Sequence, residues 1–137
     1  MLHHENTLKD LLAPGKTIAV VGAKDRPGTA VDMVGRYLIT VGFRLIPVHP
    51  ARASVWGIPA CRTLAEVDGP IDIVNLFRAA PSCPGHAAEV LALAHRPACF
   101  WMQSGIRSAE ARDLLAAHGI AVVEDRCIMV EHRRLWG

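Results

Sequence analysis

Apolar residues along this chain form short continuous runs that alternate with amphipathic stretches. Runs rich in Val, Ile, Leu and Phe, bounded by Gly, Pro or polar residues, are typical of strands buried on both faces of a sheet. Five such predicted strands span residues 17–22, 44–48, 71–77, 98–102 and 120–123. Pro47 lies inside the second run, and since proline cannot donate a ladder hydrogen bond, it predicts an edge or irregular strand there.

Helical patterns fill the intervals between these strands. Val31, Val34, Leu38 and Val41 recur at helical spacing and predict a helix over residues 29–41, closed by Gly42. Capping residues and turn residues delimit the others, which we expect over residues 7–12, 63–67, 81–95, 108–118 and, as a short closing helix, 127–136.

The alternation of strands and helices, with no hairpin signal, predicts one α/β domain over residues 1–137. We expect a Rossmann-like three-layer fold with a five-stranded parallel sheet and helices on both faces. Right-handed crossovers from a central first strand give the expected order 3-2-1-4-5. Ligands of such sheets bind outside the carboxyl ends of the strands. The candidate loops are therefore 22–28, 49–56, 77–84, 102–105 and 124–127.

Composition narrows the functional classes. Hydrophobic residues make up 51% of the chain and charged residues 20%, which favours a folded core over disorder. Lys and Arg number 15 against 13 Asp and Glu, and without a long basic run this balance excludes a nucleic-acid-binding surface. No apolar run reaches the roughly 20 residues of a membrane span, and the first residues lack a signal-peptide pattern, so we expect a cytoplasmic protein.

The four cysteines, Cys61, Cys83, Cys99 and Cys127, are far apart and show no C-x-x-C spacing. A zinc site is therefore not expected, and no other metal-binding pattern is present among the histidines. In the cytosol the thiols are expected to be reduced.

The first loop joins a strand to a helix through a glycine. Gly22 and Ala23 are followed by Lys24 and Arg26, and the helix begins near Thr29. This arrangement presents backbone N–H groups where a phosphate can sit. The G-x-G-x-x-G fingerprint is absent, so the turn predicts a nucleotide-type ligand without specifying a dinucleotide.

The second strand ends without the acidic residue that holds a ribose 2′-hydroxyl. Val48, His49, Pro50 and Arg52 stand there instead. A basic residue at this place favours a phosphate on the ribose, as in NADP or the 3′-phosphate of coenzyme A. Arg52 equally fits a solvated loop residue, and Lys24 is either a phosphate partner or an exposed turn residue.

The later loops carry further candidates. Met102, Gln103, Ser104 and Gly105 directly follow an apolar strand, and Gln103 either hydrogen-bonds an amide-bearing ligand such as a pantetheine arm or caps the neighbouring loop. Cys127 lies at a predicted helix start, where a thiol is either reactive through a lowered pKa or a small buried hydrophobe.

No Ser–His–Asp order, G-x-S-x-G elbow or Walker lysine is present, so the sequence favours binding over catalysis. Two alternatives stay open. One is an NAD(P)-binding Rossmann module or redox sensor. The other is an enzyme that uses Cys127 for thiol or acyl exchange.

Motifs along nearly the whole chain carry a family resemblance. They are I-A-V-V-G at 18–22, I-P-V-H-P at 46–50, I-D-I-V at 71–74 with Phe77 and Arg78, W-M-Q-x-G at 101–105, and D-R-C-I-x-x-E-H at 125–132. In this order they resemble the small stand-alone CoA-binding-domain proteins, the YccU-like group. That group is similar to the CoA-binding domain of the succinyl-CoA synthetase α subunit.

The resemblance implies a Rossmann-type sheet that binds coenzyme A or an acyl-CoA. It implies that the turn after Gly22 approaches the pyrophosphate, that residues 48–52 flank the adenosine, and that residues 102–104 line the pantetheine. Cys127 matches a cysteine near the end of the domain. The domain with the ligase's phosphohistidine is not part of this chain, so the resemblance implies ligand binding and names no protein partner.

One segment departs from the family pattern. The small members usually carry a Ser/Arg/Pro-rich turn where this chain reads Gly-Thr-Ala-Val-Asp at 28–32. An arginine and a serine are missing, and Asp32 adds a negative charge near the expected phosphate. Lys24, Arg26 and Thr29 are the candidates to compensate.

Overall fold

The computed structural model describes residues 5–137, with side chains from Thr7 onwards; residues 1–4, where a signal peptide would begin, lie outside this range. The strands, in chain order, are β1 (Thr17–Val21), β2 (Arg44–Val48), β3 (Ser54–Val55), β4 (Ile58–Pro59), β5 (Ile73–Leu76), β6 (Cys99–Met102) and β7 (Ala121–Val123). The helices are α1 (Glu5–Leu11), α2 (Ala30–Thr40), α3 (Cys83–Leu91), α4 (Ala109–Ala116) and α5 (Ile128–Trp136).

Five of the strands form one parallel sheet in the order β2-β1-β5-β6-β7. The predicted α/β class, with a five-stranded parallel sheet flanked by helices, is confirmed. The predicted order 3-2-1-4-5 is wrong, because the third long strand, β5, pairs with β1 and not with the outer side of β2. The observed order places the topological switch point between β1 and β5.

The outer edge of β2 explains this difference. The carbonyl of Pro47 faces outwards and accepts from the N–H of Cys61 at 2.9 Å, and His49 N–H donates to the Cys61 carbonyl at 2.8 Å. Because the nitrogen and the carbonyl of one strand residue point the same way, the N–H that Pro47 lacks falls on this outer side. Cys61 therefore covers the outer edge of β2. Pro47 lacks the N–H that β5 would need in order to pair there, so β5 pairs with β1 instead.

The sheet separates two apolar layers. Ile18 and Val20 of β1 face the layer with α1, α2 and α5, whereas Ala19 and Val21 face the layer with α3 and α4. All five residues of β1 are buried, as expected for a strand covered on both faces. Both α2 and α5 begin near the carboxyl edge of the sheet on the first face, so the loops at this edge are framed by two helix N-termini.

A small hairpin, β3–β4, contradicts the expectation of a chain without hairpins. Its turn residues Trp56 and Gly57 both have positive φ, 54° and 73°, as a type I′ turn requires. Tryptophan is an unusual residue in the left-handed region, so the sequence carried no turn signal. Trp56 is held by its N–H to Asp25 Oδ2 at 3.1 Å and its Nε1–H to Asp32 Oδ1 at 2.9 Å.

The predicted helices are mostly found with shifted ends. Thr29 and Ser108 cap α2 and α4 by accepting from the N–H three residues on. The predicted helix 63–67 is a 3-10 turn over Leu64–Glu66, and the predicted helix 81–95 begins as a 3-10 turn over Ala80–Ser82 and ends at Leu91. Within the described range, no helix has the length and apolar character needed to cross a membrane.

Candidate functional site

Two clefts open at the carboxyl ends of β1, β2 and β5, and they meet at Gly22 and Arg78. We call the first the basic cleft; it has a volume of about 360 Å³ and is lined by Gly22, Lys24, Thr29, Ala30, Val31, His49, Phe77 and Arg78. The second, the apolar cleft, has a volume of about 150 Å³ and is lined by Val21, Gly22, Val48, Pro50, Arg62, Thr63, Arg78, His86 and Glu89. Their meeting point lies at the switch point between β1 and β5, where doubly wound sheets bind ligands.

Gly22 forms the common floor of the clefts. Its N–H donates to the Val48 carbonyl at 3.0 Å, and its φ is +84°. A Cβ at this position would lie 2.5 Å from the Phe77 carbonyl oxygen. Any side chain would therefore clash with the neighbouring strand and also strain the backbone, so the close approach of the two strand ends requires glycine.

The N-terminus of α2 closes one side of the basic cleft. Thr29 caps the helix by accepting from the Asp32 N–H at 3.3 Å, while Ala30 and Val31 line the cleft. The first N–H groups of a helix have no partner within the helix, and the helix dipole adds partial positive charge. This end of the cleft is therefore suited to an anion.

Cationic side chains reinforce that field around His49. Burial lowers the pKa of His49 below 6.5, and the positive charges of Arg52, Arg78 and Lys24 lower it further. The His49 Nδ1 accepts from the Ala51 N–H at 3.0 Å, so the neutral ring carries its proton on Nε2. Three cations near one imidazole describe a site for a polyanion.

The sequence suggested that the negative charge of Asp32 would oppose the positive field of the basic cleft, but the structure pairs this charge with Arg36. The Asp32 side chain is 10% exposed and forms an ion pair with Arg36 Nε at 2.9 Å. The same carboxylate accepts from the Trp56 indole N–H. Asp32 thus serves to fix the hairpin on α2, and its charge is matched by Arg36 away from the cleft.

Two further predicted basic residues stand beside the clefts without lining them. Arg52 forms an ion pair with Asp25 at 3.1 Å, and both side chains remain about one-third exposed. Arg26 is exposed, and its carbonyl accepts from the Thr29 hydroxyl at 2.7 Å. Asp25 therefore joins the first loop to the hairpin, and it pairs with the Arg52 guanidinium, one of the charges that lower the His49 pKa.

The apolar cleft pairs a hydrophobic floor with a polar rim. Val21, Val48 and Pro50 supply the apolar surface, and His86 Nδ1 lies 2.6 Å from Glu89 Oε1 on the rim. A narrow apolar cleft with polar groups at its edge suits a flat heteroaromatic ring.

Sequence reasoning missed four residues of this rim: Arg62, Thr63, His86 and Glu89. Residues 62 and 63 do not follow a strand of the main sheet. They reach the site because Cys61 bridges to Val48, which no sequence pattern indicates. His86 and Glu89 offered one signal, their i,i+3 spacing on a predicted helix.

The predicted pantetheine loop is used mainly for internal contacts. Met102 is fully buried in the layer with α3 and α4. Gln103 is 4% exposed, and its Oε1 accepts from the Ile128 N–H at 2.9 Å, so it caps α5, the second of the two roles open to it. The Gly105 N–H donates to Asp125 Oδ1 at 2.6 Å. This bond is the main cause of a lowered Asp125 pKa, and Arg107 adds to it.

The remaining predicted site residues are divided between surface and core. Ser104 is exposed, and Ala23 is fully buried with its N–H donating to the Val48 carbonyl at 3.3 Å. Cys127 is the N-cap residue of α5 and is half-buried against the first apolar layer. Among residues 5–137, no group of three or more His, Cys, Asp or Glu side chains is arranged to hold a metal ion.

A doubly wound parallel sheet with clefts at its switch point is typical of a Rossmann-like domain. The family model described as a CoA binding domain matches residues 16–133. The chain belongs to this family, and the resemblance inferred from the motifs is confirmed.

Related proteins agree over nearly the whole length. An uncharacterized protein of Bacillus subtilis, YneT, is 42% identical over 125 residues, covering 91% of each chain. A solved structure from Thermus thermophilus is 41% identical, with a TM-score of 0.91, and covers 98% of this chain and 100% of its own. A hypothetical protein from Pyrococcus horikoshii is 26% identical, with a TM-score of 0.93, and covers 98% of this chain and 94% of its own.

Proposed function

We propose that the protein binds coenzyme A, or an acyl-CoA, non-catalytically at the carboxyl ends of its parallel strands. The observation that carries this proposal is the junction of a basic and an apolar cleft at Gly22 and Arg78. Coenzyme A combines a diphosphate and a ribose phosphate with a flat adenine ring, so it needs both environments side by side. Membership of the CoA binding domain family supports the same ligand.

In this proposal the diphosphate lies in the basic cleft. Lys24 and Arg78 supply positive charge, and Thr29, Ala30 and Val31 present the N-terminus of α2. Since Asp32 is neutralised by Arg36, the altered turn at 28–32 leaves the positive end of the helix unopposed. Lys24 and Thr29 thereby replace the arginine and serine that the family pattern would supply.

The adenine occupies the apolar cleft between Val48 and Pro50, and Arg52, held by Asp25, serves the ribose phosphate. The pantetheine arm extends from the clefts over Phe77 towards the loop 102–105 and Cys127. No general base or nucleophile is assigned, so binding is the whole of the proposed function. We place the protein in the cytosol. Its four cysteines are free thiols, and they remain reduced in that compartment.

Isothermal titration calorimetry tests the proposal with three ligands: CoA, adenosine 3′,5′-bisphosphate and NADP⁺. We expect CoA to bind most tightly, because it alone adds a pantetheine arm over Phe77 to the adenine and phosphate groups that all three ligands carry. Tighter binding of NADP⁺ than of CoA would favour an NADP-binding module and overturn the proposal.

A charge-matched pair of variants locates the binding site. Arg78→Gln removes a cation from the junction of the clefts. We expect the affinity for CoA to fall at least tenfold, which corresponds to about 1.4 kcal/mol. Arg44→Gln makes the same charge change on an exposed residue at the opposite, amino end of β2 and should leave the affinity unchanged. Equal losses in both variants would indicate non-specific charge attraction.

A further inference from the structure

Asn75 is fully buried in the middle of the sheet, and neither its Nδ2 nor its Oδ1 has a hydrogen-bond partner. Buried side-chain amides are normally satisfied, because an unpaired group loses its water without compensation. An orphan carboxamide therefore needs a partner that is absent from the protein itself.

The position of Asn75 relates it to the basic cleft. It lies in β5, in register with Val20 of β1 and Trp101 of β6. Trp101 cannot serve it, since the indole N–H already donates to the Arg126 carbonyl at 2.8 Å. Side chains two residues apart share one face of a strand, so Phe77 is the next side chain on the face of Asn75.

Phe77 is half-buried and lines the basic cleft, one layer above Asn75. The carboxamide therefore lies on the face of β5 that carries Phe77, one side-chain layer below this cleft-lining ring. This face of the sheet is the one covered by α2 and α5, whose N-termini frame the crevice.

Resting on the proposed function, we propose that the Asn75 carboxamide hydrogen-bonds an amide of the CoA arm once Phe77 turns aside. The pantetheine arm contains two amides, each with one donor and one acceptor. A carboxamide offers both a donor and an acceptor and is complementary to such a group. Asn75 then distinguishes a ligand with an amide-bearing arm from the adenosine bisphosphate portion alone.

The chain makes a direct measurement possible, because its only side-chain carboxamides are Asn6, Asn75 and Gln103. A ¹⁵N–¹H correlation spectrum therefore shows three NH₂ pairs, and the Asn75 pair is the one lost in Asn75→Val. We expect CoA to shift this pair, whereas adenosine 3′,5′-bisphosphate, which lacks the arm, leaves it in place. An Asn75 pair that is unmoved by saturating CoA overturns the inference.

Affinity supplies an independent readout. Asn75→Val should lower the affinity for CoA about tenfold, the equivalent of about 1.4 kcal/mol. The affinity for adenosine 3′,5′-bisphosphate should stay unchanged. Ile73→Val, on the same face of the same strand and one layer further from the cleft, controls for a change in the packing of this face and should bind both ligands normally.

The outcomes separate the two proposals. If the wild-type protein binds neither ligand, the proposed function fails and this inference fails with it. If the wild type binds CoA but Asn75→Val binds it equally well, only the inference is overturned. An equal loss for both ligands in Asn75→Val would also overturn it, because the residue would then shape the whole site.

Discussion

The backbone of Gly22 lies so close to the carbonyl oxygen of Phe77 that a Cβ added to the glycine would sit 2.5 Å from it. These two residues directly follow the neighbouring strands β1 and β5, and Gly22 is shared by both clefts. The geometry of the site therefore depends on the absence of one methyl group.

Gly22→Ala should be strongly destabilising. The left-handed φ of +84° costs an alanine about 1–2 kcal/mol, and displacement of the Phe77 carbonyl adds to this. We expect the free energy of unfolding, measured by urea denaturation, to fall by about 3 kcal/mol.

Gly28→Ala is the matched control. Gly28 has a φ of +85°, but a Cβ there would meet nothing within 4 Å. Only the backbone strain of about 1–2 kcal/mol should appear. If both alanine variants lost the same stability, the close contact of Gly22 with Phe77 would be refuted.

Gly35→Ala should displace the hairpin from α2. A Cβ at residue 35 would clash with the Trp56 ring, although alanine is the better helix former by about 1 kcal/mol. The indole must move and lose its bond to Asp32. We expect a net loss of about 2 kcal/mol of stability and a red-shifted, more exposed tryptophan emission.

Gly85→Ala controls for helix propensity, since this glycine lies in α3 with open space around its Cβ position. It should be neutral or stabilising by up to about 1 kcal/mol. A stabilised Gly35→Ala variant would show that Trp56 does not rest on the helix.

His49 should make both stability and polyanion binding depend on pH. Its folded pKa is lowered by burial and by Arg52, Arg78 and Lys24. The unfolded chain therefore binds the proton more readily, so stability falls as the pH drops below the unfolded value of 6.5. A bound polyanion offsets the cations and raises the pKa, so CoA should bind more tightly near pH 6 than near pH 8.

His49→Asn tests this linkage, because the asparagine oxygen can accept from the Ala51 N–H as Nδ1 does but cannot titrate. The variant should show a flatter pH profile for CoA affinity in calorimetry. A wild-type affinity that rises with pH would contradict the assignment of the sign.

Tyr37 and His132 join α2 to α5. The Tyr37 hydroxyl lies 2.6 Å from His132 Nδ1, and burial lowers the pKa of this imidazole, so the hydroxyl donates to a neutral ring. Tyr37→Phe leaves a buried nitrogen without a partner and should cost about 2 kcal/mol in the free energy of unfolding. In a double-mutant cycle with His132→Phe, we expect coupling of about 1 kcal/mol; additive losses would show that the bond contributes nothing.

The sequence predicted the layers of the fold but not the order of its strands. Continuous apolar runs and the spacing of Val31, Val34 and Leu38 report burial, which local patterns encode. The partner of β5 depends on how residues 49–72 cross the sheet, and the only local signal was Pro47, which marked β2 as an edge. The hairpin turn at Trp56 could not be predicted from the local sequence, because its positive φ is imposed by the distant carboxylates of Asp25 and Asp32.

In the candidate site, too, local patterns predicted which loops meet, whereas contacts between distant residues decided what each side chain does. Gly22, Lys24, Thr29 and His49 line the basic cleft, and they could be proposed from the sequence because the loops after parallel strands meet at one edge of the sheet. Gln103 was a candidate for an amide-bearing ligand or for a loop cap, and only packing decided that its amide caps α5. Asn75 was not singled out at all, since a lone polar residue in an apolar strand acquires meaning only when its partners can be counted.

Native mass spectrometry of the purified protein, recorded alone and with added CoA, tests the central claim most directly. We predict a one-to-one adduct with the mass of CoA or an acyl-CoA, weakened in Arg78→Gln and preserved in Arg44→Gln. A spectrum that shows only the bare chain at saturating CoA would contradict the claim that the joined clefts at Gly22 and Arg78 form a coenzyme A site.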